Sequence, residues 1–71
     1  MKRRNVDSEA IRSVGYDRRR QLLEVEFEGG YVYRYFAVPD EVFKTMMAAD
    51  SMGTWFNQTF KSLRFQYEQL N

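Results

Sequence analysis

The chain has 71 residues, 44% hydrophobic and 17% aromatic, with 11 basic and 10 acidic side chains and a net charge of +1. This length folds as one small domain, residues 1–71, and a domain of this size buries only about 60% of its unfolded surface, so its aromatic residues serve stability first. With no cysteine and no histidine, the chain lacks disulfides, thiol chemistry, soft metal sites and the usual neutral-pH proton carrier.

The N-terminal stretch MKRRNVDSEA has no apolar run of the kind a secretion signal needs, and nothing approaches the ~20 apolar residues of a membrane span. A cytoplasmic location and no membrane partner are therefore expected. Residues 1–5 are expected to be disordered, as charged termini commonly are. Charge is unevenly placed: residues 1–20 hold seven basic and three acidic residues, residues 21–51 two and six, residues 52–71 two and one. Eight of the eleven cations are arginine, which suits phosphate forks and flat rings better than lysine does. The same runs, Lys2 to Arg4 and Arg18 to Arg20, also read as a frayed terminus and a solvated turn.

Ile11, Ser13 and Gly15 alternate with Arg12, Val14 and Tyr16, and Leu23, Val25 and Phe27 alternate with Glu24, Glu26 and Glu28, the period of half-buried strands. Turns are expected at Asp17 to Arg20 and Glu28 to Gly30. After them comes Tyr31-Val-Tyr-Arg-Tyr35. A two-residue loop at Gly29-Gly30 would set Arg34 opposite Val25 on the apolar face, leaving a buried charge without a partner. A three-residue loop instead pairs Phe27 with Tyr33 and Val25 with Tyr35 and sets Glu26 opposite Arg34, which is the favoured register. Tyr33 and Tyr35 are then mainly core, and Tyr31 is the most exposed of the three.

Pro39 fixes a first helical turn, with Asp40 and Glu41 at its anion-favouring end, and Val42, Phe43, Met46 and Met47 make the apolar stripe of a helix over 39–49. Ser51 caps a second helix whose stripe is Met52, Trp55, Phe56, Phe60 and Leu63, with Gly53 allowing close approach. The tail 64–71 fits either a helical extension or an extended tail or strand packing back, and the extended form is favoured. The expected fold is α+β: a three-stranded antiparallel meander and two helices on one face. Its expected core is Leu23, Val25, Phe27, Tyr33, Tyr35, Val42, Phe43, Met46, Trp55, Phe56 and Phe60.

The series Val6-x-Ser8, Ile11, Val14-Gly15-Tyr16-Asp17, Leu23-x-Val25-x-Phe27, Gly30, Tyr33-x-Tyr35, Val38-Pro39, Ala49-x-Ser51-x-Gly53, Phe56-Asn57 and Phe60-Lys61 resembles the KTSC domain. That family is named for a C-terminal domain of some lysine-tRNA synthetases and also occurs as small bacterial and phage proteins. Glu9 and Ala10 depart from the polar run expected before Ile11, and Leu63 departs before the pair Phe65 and Tyr67. The resemblance implies no established activity; its synthetase context suggests RNA.

Three functional readings follow. For single-stranded RNA, the phosphate contacts would be Arg3, Arg4, Arg18, Arg19, Arg20, Lys61 and Arg64, the stacking groups Tyr16, Tyr31 and Trp55, and the edge reader Asn57. Glu24, Glu26 and Glu28 make one sheet face acidic, so RNA would have to use the turn and the helix edge. Second is a protein-interaction or self-association module using a strand edge or Met46, Met47 and Met52, residues that also read as core. Third is a small nucleotide or phosphate ligand at Ser51, Asn57 and Lys61, which capping and packing also explain. Enzyme readings are weakest: no serine has a histidine base, and Lys61 beside Ser62 or Ser51 would need a desolvation that so small a domain does not supply. No catalytic residue, cofactor or metal is implied.

Overall fold

Strict alternation makes Leu22–Phe27 a strand with Leu23 and Val25 on one face and Glu24 and Glu26 on the other, and everything else is arranged about it. The computed structural model describes all 71 residues and has β1 (Arg4–Asn5), β2 (Ile11–Asp17), β3 (Leu22–Phe27), β4 (Val32–Tyr35) and β5 (Tyr67–Gln69), which form one antiparallel sheet in that order. Helix α1 (Asp40–Ala48) and helix α2 (Met52–Trp55) lie between β4 and β5, and α2 runs on into a wide π turn (Phe56–Phe60) and a 3-10 turn (Lys61–Leu63).

The α+β class and both helices follow the sequence expectation, but the sheet has five strands in place of three. The two additions are edge strands of two and three residues, too short to show a period. β1 pairs Arg4 with Val14 and Asn5 with Ser13, so residues 1–5, expected to be disordered, include a paired strand. The tail resolves to its extended alternative: Tyr67 pairs with Tyr35, Glu68 with Arg34 and Gln69 with Tyr33.

The hairpin register also differs. Val25 faces Tyr33 and Leu23 faces Tyr35, two residues from the expected pairing, and Glu24 rather than Glu26 stands opposite Arg34. The loop still has three residues, because Phe27 and Tyr31 close it by backbone bonding (Phe27 N to Tyr31 O, 2.8 Å) and leave Glu28, Gly29 and Gly30 outside. A shift of two preserves which face each side chain takes, so the tyrosine row stays on the apolar face. Opposite-charge pairing selects this register as well: Arg34 Nε and Nη2 donate to Glu24 Oε2 at 3.1 and 2.7 Å, and Arg3 Nη1 donates to Glu24 Oε1 at 3.1 Å. Glu24, itself buried, is thus gripped from β4 and, across β2, from the residue just before β1.

β2 breaks its own alternation. Between Ile11 and Ser13 the pairing with β3 slips by one residue, so Ile11 faces Phe27 while Val14 faces Val25. One extra residue in a strand reverses its parity beyond that point. Val14 and Tyr16 therefore join the apolar face, and Ser13 joins the glutamate face, donating to Glu26 at 2.9 Å.

The buried core is Ile11, Val14, Leu23, Val25, Tyr35, Val38, Met46, Phe56 and Phe60. Phe27, Tyr33, Val42, Phe43 and Trp55, expected in it, are only partly buried against it, together with Met47 and Met52. Phe56 and Phe60 stack at 4.5 Å and reach Tyr35 edge-on at 5.7 and 4.9 Å. Gly53 carries no Cβ where one would lie 3.1 Å from that of Ala10, which lets α2 settle on the loop before β2. Ser51 Oγ accepts from Thr54 N at 3.3 Å, the cap expected of it.

Candidate nucleic-acid interface

β5 carries Tyr67 up beside β4, and the last turns of the α2 segment cover the same sheet face only in part. Between them lies an open cleft of about 580 Å³ lined by Tyr33, Tyr35, Phe60, Lys61, Arg64, Phe65 and Tyr67. Tyr67 is 61% exposed, and its ring lies parallel to that of Tyr33, 5.6 Å between centroids and 3° between planes. Tyr35 closes the floor, 7% exposed. Burial, reinforced by the neighbouring Tyr33 and Tyr67 phenols, pushes the Tyr35 pKa far above its ordinary value, so the hydroxyl stays neutral.

Cations border this aromatic wall. Lys61 and Arg64 are exposed, and neither takes part in the ion pairs that occupy Arg3, Arg12, Arg18, Arg20, Arg34 and Lys44. Arg64 sits at φ 56 and ψ 46, a left-handed conformation that turns the chain out of the helix toward β5. A non-glycine residue there carries a cost of about 1–2 kcal/mol. That cost is borne at the rim of the cleft.

The other expected phosphate contacts divide. Arg3 is committed to Glu24 and to Ser13 Oγ, at 3.1 Å each. Arg18 donates to Asp40 at 3.0 Å, and Asp40, held below the usual carboxylate range chiefly by its bond from Lys44, is a persistent partner. Asp17 Oδ1 accepts from the backbone N–H groups of Arg19 and Arg20, at 3.1 Å each, shaping the turn and leaving Arg19 free of any ion pair. Arg4 lines a shallow depression with Lys2, Tyr16 and Arg18. Through the strand registers, the Arg18 to Arg20 turn and the Arg64–Phe65 corner lie at the same end of the sheet, for Val38 N bonds to Gln21 O and Phe36 N to Gln66 O. Within the turn Arg18 and Arg20 are ion-paired, to Asp40 and Asp17, and Arg19 is not.

Of the expected stacking groups, Tyr16 is already stacked on Phe43 at 4.6 Å, and its hydroxyl donates to Val38 O at 2.5 Å. Burial, with Asp40 adding to it, raises its pKa and keeps that donor protonated. Trp55 packs against the core near Phe60. Tyr31 is open at 57% exposure and lines a second, smaller depression with Phe27, Tyr33, Tyr35 and Lys61. Asn57 lies elsewhere, in a depression with Asp7, Ser8, Glu9, Asp50 and Ser51, whose carboxylates repel phosphate. Ser62, beside Lys61, spends its hydroxyl on Thr59 O at 2.5 Å.

Sequence reasoning missed Tyr67, Phe65 and the exposed side of Tyr33 as site residues. The alternation Phe65-x-Tyr67 was the available signal, since a strand there has to lie against one of the sheet edges. The acidic sheet face, an obstacle on paper, is largely neutralised: Arg12 bridges Glu26 and Glu28, and Arg34 reaches Glu68 as well as Glu24.

A five-stranded antiparallel meander with two helices on one face and an aromatic, cation-rimmed edge defines a small α+β domain. The chain belongs to the KTSC domain family, whose model matches residues 7–65. A KTSC domain protein of Yersinia pestis has the same fold, with a TM-score of 0.88 and 34% identity over 99% of this chain and 97% of that one. An uncharacterised protein of Stutzerimonas stutzeri is 48% identical over the full length of both chains. A lysine–tRNA ligase of Nostoc punctiforme is 37% identical over 65 residues, which are 92% of this chain and 11% of the ligase.

Proposed function

We propose that this KTSC domain is a non-enzymatic binder of single-stranded RNA, with the Tyr33–Tyr67 pair as its stacking platform and Lys61 and Arg64 as its phosphate contacts. One observation carries this reading: an exposed tyrosine, parallel to a second ring, stands beside two cations that no carboxylate neutralises. Sequence-tolerant single-strand binders combine those two elements, because every base has a π-face and every nucleotide a charge. Arg19, the one cation of the turn outside any ion pair, adds attraction at longer range from the same end of the sheet. Kinship with part of a lysine–tRNA ligase supports an RNA partner, and the reading carries a cytoplasmic location with it.

The test is fluorescence anisotropy of a labelled mixed-sequence RNA of about twelve nucleotides at low and moderate salt. Salt-sensitive binding is expected, and Tyr67→Ala is expected to weaken it about tenfold, since a stacked base is worth about 1–3 kcal/mol. Absence of binding at low salt, or binding indifferent to Tyr67→Ala, overturns the reading.

A further inference from the structure

We propose that the interface holds a two-base step, with one base in the large cleft, the next in the smaller depression beside Tyr31, and the phosphate between them on Lys61. This rests on the RNA reading above and adds a minimal ligand to it.

The two depressions, about 580 and 220 Å³, share three residues: Tyr33, Tyr35 and Lys61. The larger falls within the roughly 300–1,000 Å³ that accommodates a nucleoside-sized ligand, and the smaller falls below it, with room for a single ring system. Each has its own exposed tyrosine, Tyr67 in the first and Tyr31 in the second. Tyr31, Tyr33 and Tyr35 alternate along one strand face, so these surfaces follow one another in a row, as successive bases do. Lys61 is the cation common to both, whereas Arg64 borders only the first. A phosphodiester joining the two bases meets a cation at Lys61, and the phosphate beyond the first base meets Arg64.

Tyr31 is placed by its loop. Gly29, at φ +100, lies under the Tyr31 ring, where a Cβ would come within 3.1 Å of it. The ring is thereby laid over the hairpin and toward the smaller depression.

The experiment compares AMP with ApA by NMR titration, following the tyrosine ring signals. Both ligands carry one phosphorus group, and AMP the greater charge, so tighter binding of ApA reports the second base. We expect ApA to shift Tyr67 and Tyr31 together and to bind about tenfold more tightly than AMP. Tyr31→Ala should abolish that tenfold gain, and Lys61→Met should weaken both ligands; each side chain is exposed, so both variants fold. Equal affinity for AMP and ApA, or a gain that survives Tyr31→Ala, overturns the two-base inference while longer RNA still binds through Tyr67. If neither dinucleotide nor longer RNA moves any tyrosine signal, the inference falls together with the RNA reading.

Discussion

Glu24→Gln is expected to destabilise the domain by about 2 kcal/mol at neutral pH. A fully buried ion pair broken on one side costs about 3–5 kcal/mol, and an exposed one about 1 or less. Glu24 belongs to the first class, with its side chain 5% exposed, but its partners Arg3 and Arg34 are 31% and 32% exposed, so water takes over part of what the carboxylate supplied. Glutamine keeps one oxygen to accept from Arg34 but turns an NH₂ toward the Arg3 donor, breaking the link to the N-terminal segment.

The same site sets a pH dependence. Desolvation pushes the Glu24 pKa upward, but the bonds from Arg34 and Arg3 outweigh it and hold the value below the ordinary 4.5. A carboxylate depressed by folding adds stability above its unfolded pKa, and that stability disappears as pH falls through the folded value. The gap between wild type and Glu24→Gln should therefore be full at pH 7 and close only as pH falls below 4.5 through the lowered folded value. In urea denaturation, with a slope of about 1 kcal/mol per molar for a small domain, the midpoints at neutral pH should differ by about 2 M. A difference under about 0.5 M at neutral pH, or one unchanged in acid, refutes the view that this carboxylate ties β3 to β4 and to the N-terminal segment.

Arg64→Gly should raise stability by about 0.5–1 kcal/mol, because glycine adopts the left-handed conformation freely, yet it should weaken RNA binding; thermal denaturation and anisotropy should move in opposite senses. Gly15→Ala should cost about 1–3 kcal/mol, because the new methyl would lie 2.8 Å from the Lys2 carbonyl oxygen and force β1 away, seen as faster amide exchange at Asn5. Replacing Lys61 and Arg64 together by alanine should lower the slope of log K against log salt by about 1.4, at roughly 0.7 per phosphate contact on a single strand. Arg18→Ala should change that slope little, since its guanidinium is held by Asp40, whereas Arg19→Ala, at a cation outside any ion pair, should lower it.

Much of the fold was legible because period is a local property. Leu23, Val25 and Phe27, or Val42, Phe43 and Met46, announce strand and helix without reference to the rest of the chain. The cap at Ser51 and the turn after Asp17 were legible for the same reason. What escaped depends on events that no local pattern records. The extra residue near Arg12 reverses the parity of β2, and only the partner strand reveals that Val14 rather than Ser13 faces the core. The register that gives Arg34 to Glu24 also brings in Arg3, which precedes β1 and lies far away in the sequence. Tyr67 meets Tyr33 only through pairing with a strand more than thirty positions earlier, so Lys61 and Arg64 were legible as exposed cations while the ring beside them was not.

The wide turn at Phe56–Phe60 has a consequence for how such a surface can arise. Lys61 N bonds back five residues to Phe56 O, so the segment holds one residue more per turn than an α-helix needs. Removing a single residue there would restore regular winding and swing all that follows by roughly 100°. Phe56 would stay in the core, but Lys61 and Arg64 would rotate away from the tyrosines. A single in-frame codon gained or lost there would thus carry the buried Phe60 off its face together with the cationic rim, so the placing of Lys61 and Arg64 beside the tyrosines is tied to the packing of the core through this one turn.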